Sequence, residues 1–559
     1  MTIMRFNFVL FLFFATTGFG QPIILNDQFD DWESIGARFE DPKGDQRANN
    51  VDFTDIRISN DDRFLFVYFN TNKEINLQEN NNITIYIDID NSVNTGRKIY
   101  GIGAEITYNL GQRQGFLHTG SSTFSVSQSN IGLVTSPTVT SDVFELAIRR
   151  EFSFSGNFFK MGDIVKITIV DEINNGDRAP DIDGGYSYRL QNYVYSQPLE
   201  LTKASDKHLR IVSYNVLKDK FFSSNVKQYY DRIFKVINPD IIGFCEIYNN
   251  SSAQTAALIE EYLPSGIGQQ WYHAAAGDDI RVVSRYPVIN TASIDGNGAF
   301  LIDLGSKKLV FIMAHLPCCN NESQRQAEVD KIMSFIRGIK FGISPFTVPI
   351  GSPIVLAGDM NLVGLKQQLV SMLTGDIVNN NAYGPDFKPD WDNSDLEDAN
   401  PLTTGVPMTF TWNSTGSYSP GRLDYIIYTG SVMSISNSFV LYTPGMLQSD
   451  LNKYGLNYYD VDRASDHLPV VVDFDLQGTT STESASSSLP FRFIRQGDSW
   501  SFDSELIGRL TISELSGRLV YTMDKNLPGK MDVELPPLSG LYIISFYTGR
   551  KLYSLKVFK

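Results

Sequence analysis

Thiols, imidazoles and long apolar runs are scarce in this chain. Its 559 residues include three cysteines, five histidines and five tryptophans. Three thiols cannot all pair, so Cys245, Cys318 and Cys319 exclude a disulfide scaffold. Cys318 and Cys319 follow His315 closely and Cys245 precedes Glu246, so a single bridge bracing that region stays open beside plain buried and loop thiols. No stretch reaches the roughly 20 apolar residues that a membrane span requires. The apolar run at 6–15 is shorter, follows Arg5, and leads through Gly18-Phe19-Gly20 to Gln21. That grammar reads as an export signal over 1–20, hence a secreted or cell-surface protein. Positive charge is also in deficit, with 47 Lys+Arg against 63 Asp+Glu and a net charge of −16. A broad basic footprint for a polyanion is thereby excluded, although a divalent cation and a few local bases can still hold phosphates.

Length and a hydrophobic content of 42% suit three or four packed domains. Residues 21–200 alternate in short strands such as 64–69 and 83–88, separated by Asn, Asp and Gly turns, which predicts a β-sandwich. Residues 205–476 alternate apolar strands with amphipathic stretches at 226–237, 253–262 and 324–339, which predicts an α/β domain. A Ser/Thr-rich linker at 477–489 follows. Residues 490–559 return to short strands punctuated by Gly508, Gly517, Gly529 and Gly540, a second, small β-sandwich.

In the α/β segment, apolar runs repeatedly end on groups that bind metals or phosphates. Ile211-Val212-Ser213-Tyr214 leads to Asn215, and Ile241-Ile242-Gly243-Phe244-Cys245 to Glu246. Val310-Phe311-Ile312-Met313-Ala314 leads to His315, and Ile354-Val355-Leu356-Ala357-Gly358 to Asp359, with Asn361 two residues on. Asp424 stands ahead of Tyr425-Ile426, and Asp466-His467 ahead of Val470-Val471-Val472. A histidine beside an acid at the mouth of a buried strand is a ready general base. Hard oxygen ligands suit Mg²⁺ or Mn²⁺, and Mg²⁺ usually takes one or two protein carboxylates. Each piece alone is weak, since a lone strand-end Glu or Asn is commonly a surface or turn residue. Their repetition points to one shared site. His118, His208 and His273 lack such a setting and read as structural or surface residues. Arg325 could reach phosphate, against the competing reading of a solvated helix arginine.

In order, Ser213-Tyr214-Asn215-Val216, Cys245-Glu246, Ser284-Arg285-Tyr286-Pro287-Val288, Ala314-His315-Leu316, Gly358-Asp359-Met360-Asn361, Thr409-Phe410-Thr411-Trp412, Gly421-Arg422-Leu423-Asp424-Tyr425-Ile426 and Ser465-Asp466-His467-Leu468-Pro469 resemble the endonuclease/exonuclease/phosphatase, or DNase-I-like, superfamily over about 205–476. The resemblance implies a four-layer α/β sandwich. It implies metal ligation by Glu246, with Asn215 and Asp466 near the metal or phosphate. It implies His467, with Asp424 as acid partner, activating water. Asp359 and Asn361 would orient the nucleophile, and His315 would bind phosphate or protonate the leaving group. Ile247-Tyr248-Asn249-Asn250 departs from the basic or polar group that often follows the family glutamate, which leaves substrate choice open.

The flanks carry their own resemblances. Asp31-Trp32, Asp41-Pro42-Lys43-Gly44-Asp45, Asp52-Phe53, Asn60-Asp61 and Tyr86-Ile87-Asp88-Ile89-Asp90-Asn91 resemble family-9-like carbohydrate-binding modules. Glycan is the implied partner, although Trp32 is the only tryptophan there and reads as core. Asp88 and Asp90 are candidate ligands for a structural Ca²⁺, with ordinary Asx-turns as the alternative. Gly517-Arg518-Leu519-Val520, the stretch into Gly540-Leu541-Tyr542-Ile543-Ile544 and the basic end at 551–559 resemble the type IX secretion sorting domain of Bacteroidetes, which implies that secretion machinery as a partner. The expected activity is hydrolysis of phosphodiesters, nucleic acid first, with a phosphatase or sphingomyelinase-like phospholipase C as alternative. A surface glycan-binding protein with an inactive catalytic body is the reading of another class.

Overall fold

The computed structural model describes residues 23–48, 50–196, 198–476 and most of the strand residues between 491 and 558. The expected leader at 1–20 and the linker at 477–489 lie outside the described residues. The chain divides into two compact units, 1–476 and 477–559.

The first unit begins with two facing β-sheets. One runs Arg38–Glu40, Asp55–Asn60, Phe64–Ile75, Ser141–Arg149, Val134–Ser136; the other is built around Ile83–Asp88 and Ile164–Asp171. Side chains alternate across a strand with period two. Leu65, Val67 and Phe69 therefore enter the core between the sheets with Ile85, Ile87 and Ile167. Phe64, Phe66 and Tyr68, on the opposite face, join Met408 and Phe410 of the next domain in a second core. Burial of this kind is worth roughly 1.5–3 kcal/mol per large apolar side chain. Both faces of one strand are consumed, so the sandwich and the α/β domain share a core. Polar bonds follow the same seam: Leu25 N–H donates to Pro407 O at 2.9 Å, and Thr135 Oγ1 lies 2.6 Å from Ser419 Oγ.

Trp32 is fully buried in that seam, so it offers no stacking platform to a sugar. Its Nε1 donates to Glu145 Oε2 at 2.9 Å, and the Asn26 and Asp27 amides donate to Glu145 Oε1. Burial pushes the Glu145 carboxyl up to about 8, against the opposing Trp32 hydrogen bond. The unfolded chain ionises it near 4.5. The folded state therefore binds more protons between those values, and this contribution to stability is lost as pH rises from about 4.5 to about 8. At 1.36 kcal/mol per unit the loss is of order 5 kcal/mol. Melting temperature is expected to fall across that window, and Glu145→Gln to flatten the slope. A slope unchanged in the variant would contradict the assignment.

The α/β domain contains two six-stranded sheets. We label β1 Leu209–Asn215, β2 Ile241–Cys245, β3 Tyr272–Ala276, β4 Ile280–Ser284, β5 Val288–Ile294, β6 Asn297–Asp303, β7 Lys308–His315, β8 Ile354–Asp359, β9 Glu397–Asp398, β10 Asp424–Tyr428, β11 Ser434–Val440 and β12 Val470–Asp475. The sheets are ordered β3-β4-β2-β1-β12-β11 and β5-β6-β7-β8-β10-β9. Val212 and Phe244 of the first meet Phe311, Met313 and Ala357 of the second in one core. Helix α1, Lys227–Ile237, buries Tyr230, Ile233, Phe234 and Ile237 in that same core; their spacing is that of one helical face. Helix α2 spans Ser252–Tyr262. Helix α3, Glu322–Phe341, packs Val329, Ile332, Met333 and Ile336 against Val310, Ile312 and Leu356 of the second sheet.

Strand polarity positions the site. β1 pairs parallel with β2, placing Asn215 opposite Cys245, and β7 pairs parallel with β8, placing His315 opposite Asp359. β12, β4 and β10 run antiparallel to β1, β2 and β8. The C-terminal ends of four strands and the N-terminal beginnings of three thus share one edge. A buried ion pair, Arg210 to Asp473 at 2.6 Å, ties β1 to β12 near their opposite ends.

The second unit contains a three-stranded and a four-stranded antiparallel sheet, with Phe502, Leu510, Ile512, Ile544 and Phe546 in its core.

Candidate active site

At the edge where β1, β2, β7 and β8 end, Asn215, Glu246, Asp359 and Asn361 form a hydrogen-bonded chain. Asn215, fully buried, donates from Nδ2 to Glu246 Oε1 and to Asp359 Oδ2, each at 3.0 Å. Glu246 Oε2 also accepts the Lys218 amide at 2.9 Å. Glu246 adopts φ 63°, a left-handed conformation unusual for a non-glycine residue and typical of strained functional positions. Its own amide is held by Asp279 Oδ2 at 3.0 Å. Asp359 follows Gly358, whose φ is 137° and where a Cβ would meet Ala314 O at 1.8 Å; only glycine lets β8 lie this close to β7. Asp359 Oδ1 accepts the Asn361 amide at 3.1 Å, and Asn361 Nδ2 in turn donates to Leu316 O at 2.9 Å.

Two imidazoles flank Asp359. His467 Nδ1 lies 2.8 Å from Asp424 Oδ2, and its Nε2 lies 3.6 Å from Asp359 Oδ2. Thr411 Oγ1 donates to the same Asp424 oxygen at 2.7 Å. His315 repeats the arrangement, with Nδ1 2.6 Å from Asp279 Oδ2 and Nε2 3.8 Å from Asp359 Oδ2. Burial works against charge on both rings, but neighbouring carboxylates win. Asp279 and Asp359 raise His315 to about 9, and Asp424 and Asp359 raise His467 to about 10.

Could a divalent cation sit here? Asp359, Asp424 and His467 offer ligand atoms all within 4.8 Å of one another. Asp424 Oδ1 and Asp466 Oδ1 are buried with no hydrogen-bond partner, a costly state for a carboxylate oxygen. The donor set of hard oxygens fits a Mg²⁺- or Mn²⁺-like ion. Glu246 and Asn215 adjoin it through Asp359. Asp466 is turned towards Trp412, whose Nε1 donates to Asp466 Oδ2 at 3.2 Å.

One expected residue is elsewhere. Arg325 is fully buried on α3, where it donates to Pro317 O and Cys319 O and pairs with Glu322. It braces the loop after His315 and cannot reach a phosphate, correcting both sequence readings of it. Cys245 is buried and free, its Sγ 3.5 Å from Ala314 O, while Cys318 and Cys319 are exposed with sulfurs 2.6 Å apart. His118, His208 and His273 contact Thr107, Ser436 and Ser252, away from the site. Asp279, Thr411 and Trp412 serve the site although sequence reasoning gave them no role.

In the N-terminal sandwich, Asp88 and Asp90 gather with Glu105, and Asp41, Asp45, Asp52, Asp177 and Asp181 form two further acidic groups. Asp88 Oδ1 accepts the amides of Asp90 and Ser92, the turn arrangement weighed against ligation.

Residues 212–467 match the model of the Endonuclease/Exonuclease/phosphatase family. They make up most of the α/β domain, which β-rich regions flank on both sides. No curated protein matches the chain. Similar solved structures include the truncated TDP2 of Caenorhabditis elegans, at 17% identity over 48% of this chain and 97% of that one, TM-score 0.32. The human nocturnin catalytic domain with bound sulfate is 15% identical over 48% and 94%, TM-score 0.31. ANGEL2, a 2',3'-cyclic phosphatase in complex with adenosine-2',3'-vanadate, is 13% identical over 48% and 96%, TM-score 0.33.

Proposed function

We propose that this protein is a secreted, divalent-metal-dependent phosphoester hydrolase that cleaves phosphodiester bonds. The observation that carries the reading is the paired histidines, each held by its own carboxylate on either side of Asp359. His467, oriented by Asp424, takes the proton of the attacking water. Asp359 and Asn361 position that water and the phosphate. His315, kept charged by Asp279, donates to a phosphate oxygen or to the departing alkoxide. Glu246, with Asn215 and Asp466, would hold Mg²⁺ or Mn²⁺. When bound, the ion would neutralise phosphate and carboxylate charge and so lower His467 towards the neutral form a base requires.

Nucleic acid is the first substrate to test. Carboxylates around the cavity favour a second reading, a phosphatase or phospholipase C acting on a small ester. Export through the type IX machinery is proposed from the leader and the C-terminal unit, and glycan as a partner of the N-terminal sandwich. The acidic groups around Asp88, Asp90 and Glu105 are proposed to take structural Ca²⁺. A Ca²⁺-dependent rise in melting temperature that persists in Glu246→Ala would support that assignment, and its absence would remove it. For the activity, full-length protein is incubated with bis(p-nitrophenyl) phosphate and with supercoiled plasmid, with and without Mg²⁺. Mg²⁺-dependent release or nicking is expected. Inertness of folded protein towards both would send the reading back to the glycan-binding alternative.

A further inference from the structure

The catalytic cavity, about 970 Å³, is not built by the α/β domain alone. Asn76, Gln78, Glu79 and Thr138 of the N-terminal sandwich line it together with Glu246, His315, Asp359 and His467. The segment carrying the first three is stiff. Asn81 Nδ2 donates to Asn76 O and Leu77 O at 2.8 Å, and Leu77 is buried. It is also clamped across the cleft. Asn76 Nδ2 donates to Val363 O at 3.0 Å, the Ser419 amide to Gln78 Oε1 at 2.9 Å, and Tyr418 Oη to Glu79 Oε1 at 2.5 Å. The Arg113 guanidinium stacks 4.2 Å from the Tyr418 ring centre and donates to Gln78 O. The loop so fixed leads back to Trp412, the partner of Asp466.

Charge gives this wall a consequence. Beyond the catalytic carboxylates, the cavity is lined by Glu79, Asp278, Asp295 and Glu328, of which Glu79 lies 4.0 Å from Arg113 and Asp295 3.4 Å from Lys331, while Lys218 is the one lysine or arginine among the described lining residues. A duplex carries one negative charge per about 1.7 Å of axis, and such a polymer binds through many cationic contacts. Here the phosphates flanking the reacting one would enter a cleft richer in carboxylates than in cations.

We infer that the 76–79 segment of the N-terminal sandwich is a specificity wall, whose charge at Glu79 favours compact phosphodiesters with one phosphate over nucleic-acid strands. The inference rests on the phosphoesterase reading above. Glu79→Gln keeps an acceptor for Tyr418 and removes one charge; Gln78→Glu keeps an acceptor for the Ser419 amide and adds one. The readout is the ratio of kcat/KM for a single-stranded oligothymidylate to that for bis(p-nitrophenyl) phosphate, in the full-length chain at low ionic strength. Glu79→Gln is expected to raise the ratio about threefold or more, and Gln78→Glu to lower it by a similar factor. Both changes should shrink in high salt, as exposed charges are screened. A merely structural wall would move the ratio in neither direction, or in the same direction for both variants, and either result overturns the inference. If the unmodified chain hydrolyses neither compound, the phosphoesterase reading falls and the wall with it. If it is active and the ratio stays fixed, only the wall falls.

Discussion

His467→Ala is expected to lower turnover about 10²–10⁴-fold, the usual contribution of a positioned general base. Asp424 holds the ring at Nδ1, 2.8 Å away, and leaves Nε2 facing the site, 3.6 Å from Asp359. The fold should tolerate the loss. Asp424 keeps the Thr411 hydroxyl at 2.7 Å, and the Thr411 oxygen itself accepts the amides of Leu423 and Asp424. Burial pushes the Asp424 carboxyl up, to about 6, so without its imidazole partner it can take a proton instead of remaining a stranded charge. Turnover on bis(p-nitrophenyl) phosphate, read beside melting temperature, separates the two effects. A loss below tenfold in folded protein would assign the base elsewhere, and His315 would be replaced next.

How far the site was legible depended on strand direction. Asn215, Glu246, His315 and Asp359 close apolar runs, and a reader who looks where such runs end finds them. Asp424 and Asp466-His467 open runs, and they stood out because a Ser-Asp-His string is conspicuous. Asp279 also opens a run, ahead of Ile280-Arg281-Val282-Val283, but in an unremarkable Gly-Asp-Asp turn. Only the antiparallel pairing of β4 with β2, Phe244 opposite Arg281, brings it beside Glu246. No periodicity in a single strand encodes that partner. Arg325 failed for the opposite reason. Its place after His315 looked like reach towards phosphate, yet carbonyls at 317 and 319, in the loop ahead of α3, capture the guanidinium. The strand alternation of the N-terminal region predicted sheets, while the second apolar face of 64–69 held an unused hint. Phe, Phe and Tyr at 64, 66 and 68 are more apolar than a solvent-facing edge needs, because that face meets Met408 and Phe410.

Metal removal carries the other large effect. In excess EDTA, hydrolysis is expected to fall to background and to return when Mg²⁺ is restored, because the two imidazoles offset only part of the charge of Glu246, Asp359, Asp424 and Asp466. Lys218 offers its amide rather than its ammonium to Glu246, and the two imidazoles are already engaged by carboxylates. Glu246→Ala removes a carboxylate without touching either histidine. Its loss should exceed the roughly 10–100-fold that outer partners of a metal typically cost. Asn215→Ala should fall inside that smaller range, since its amide bridges Glu246 and Asp359 and is placed to orient both. Initial rates titrated with Mg²⁺ distinguish the cases. A ligand variant needs more metal or never recovers, whereas an orienting variant recovers its metal dependence at lower turnover. Full activity in EDTA would end the metal reading. Full activity in Glu246→Ala would move the ion to Asp359, Asp424 and His467, whose ligand atoms already lie within 4.8 Å of one another.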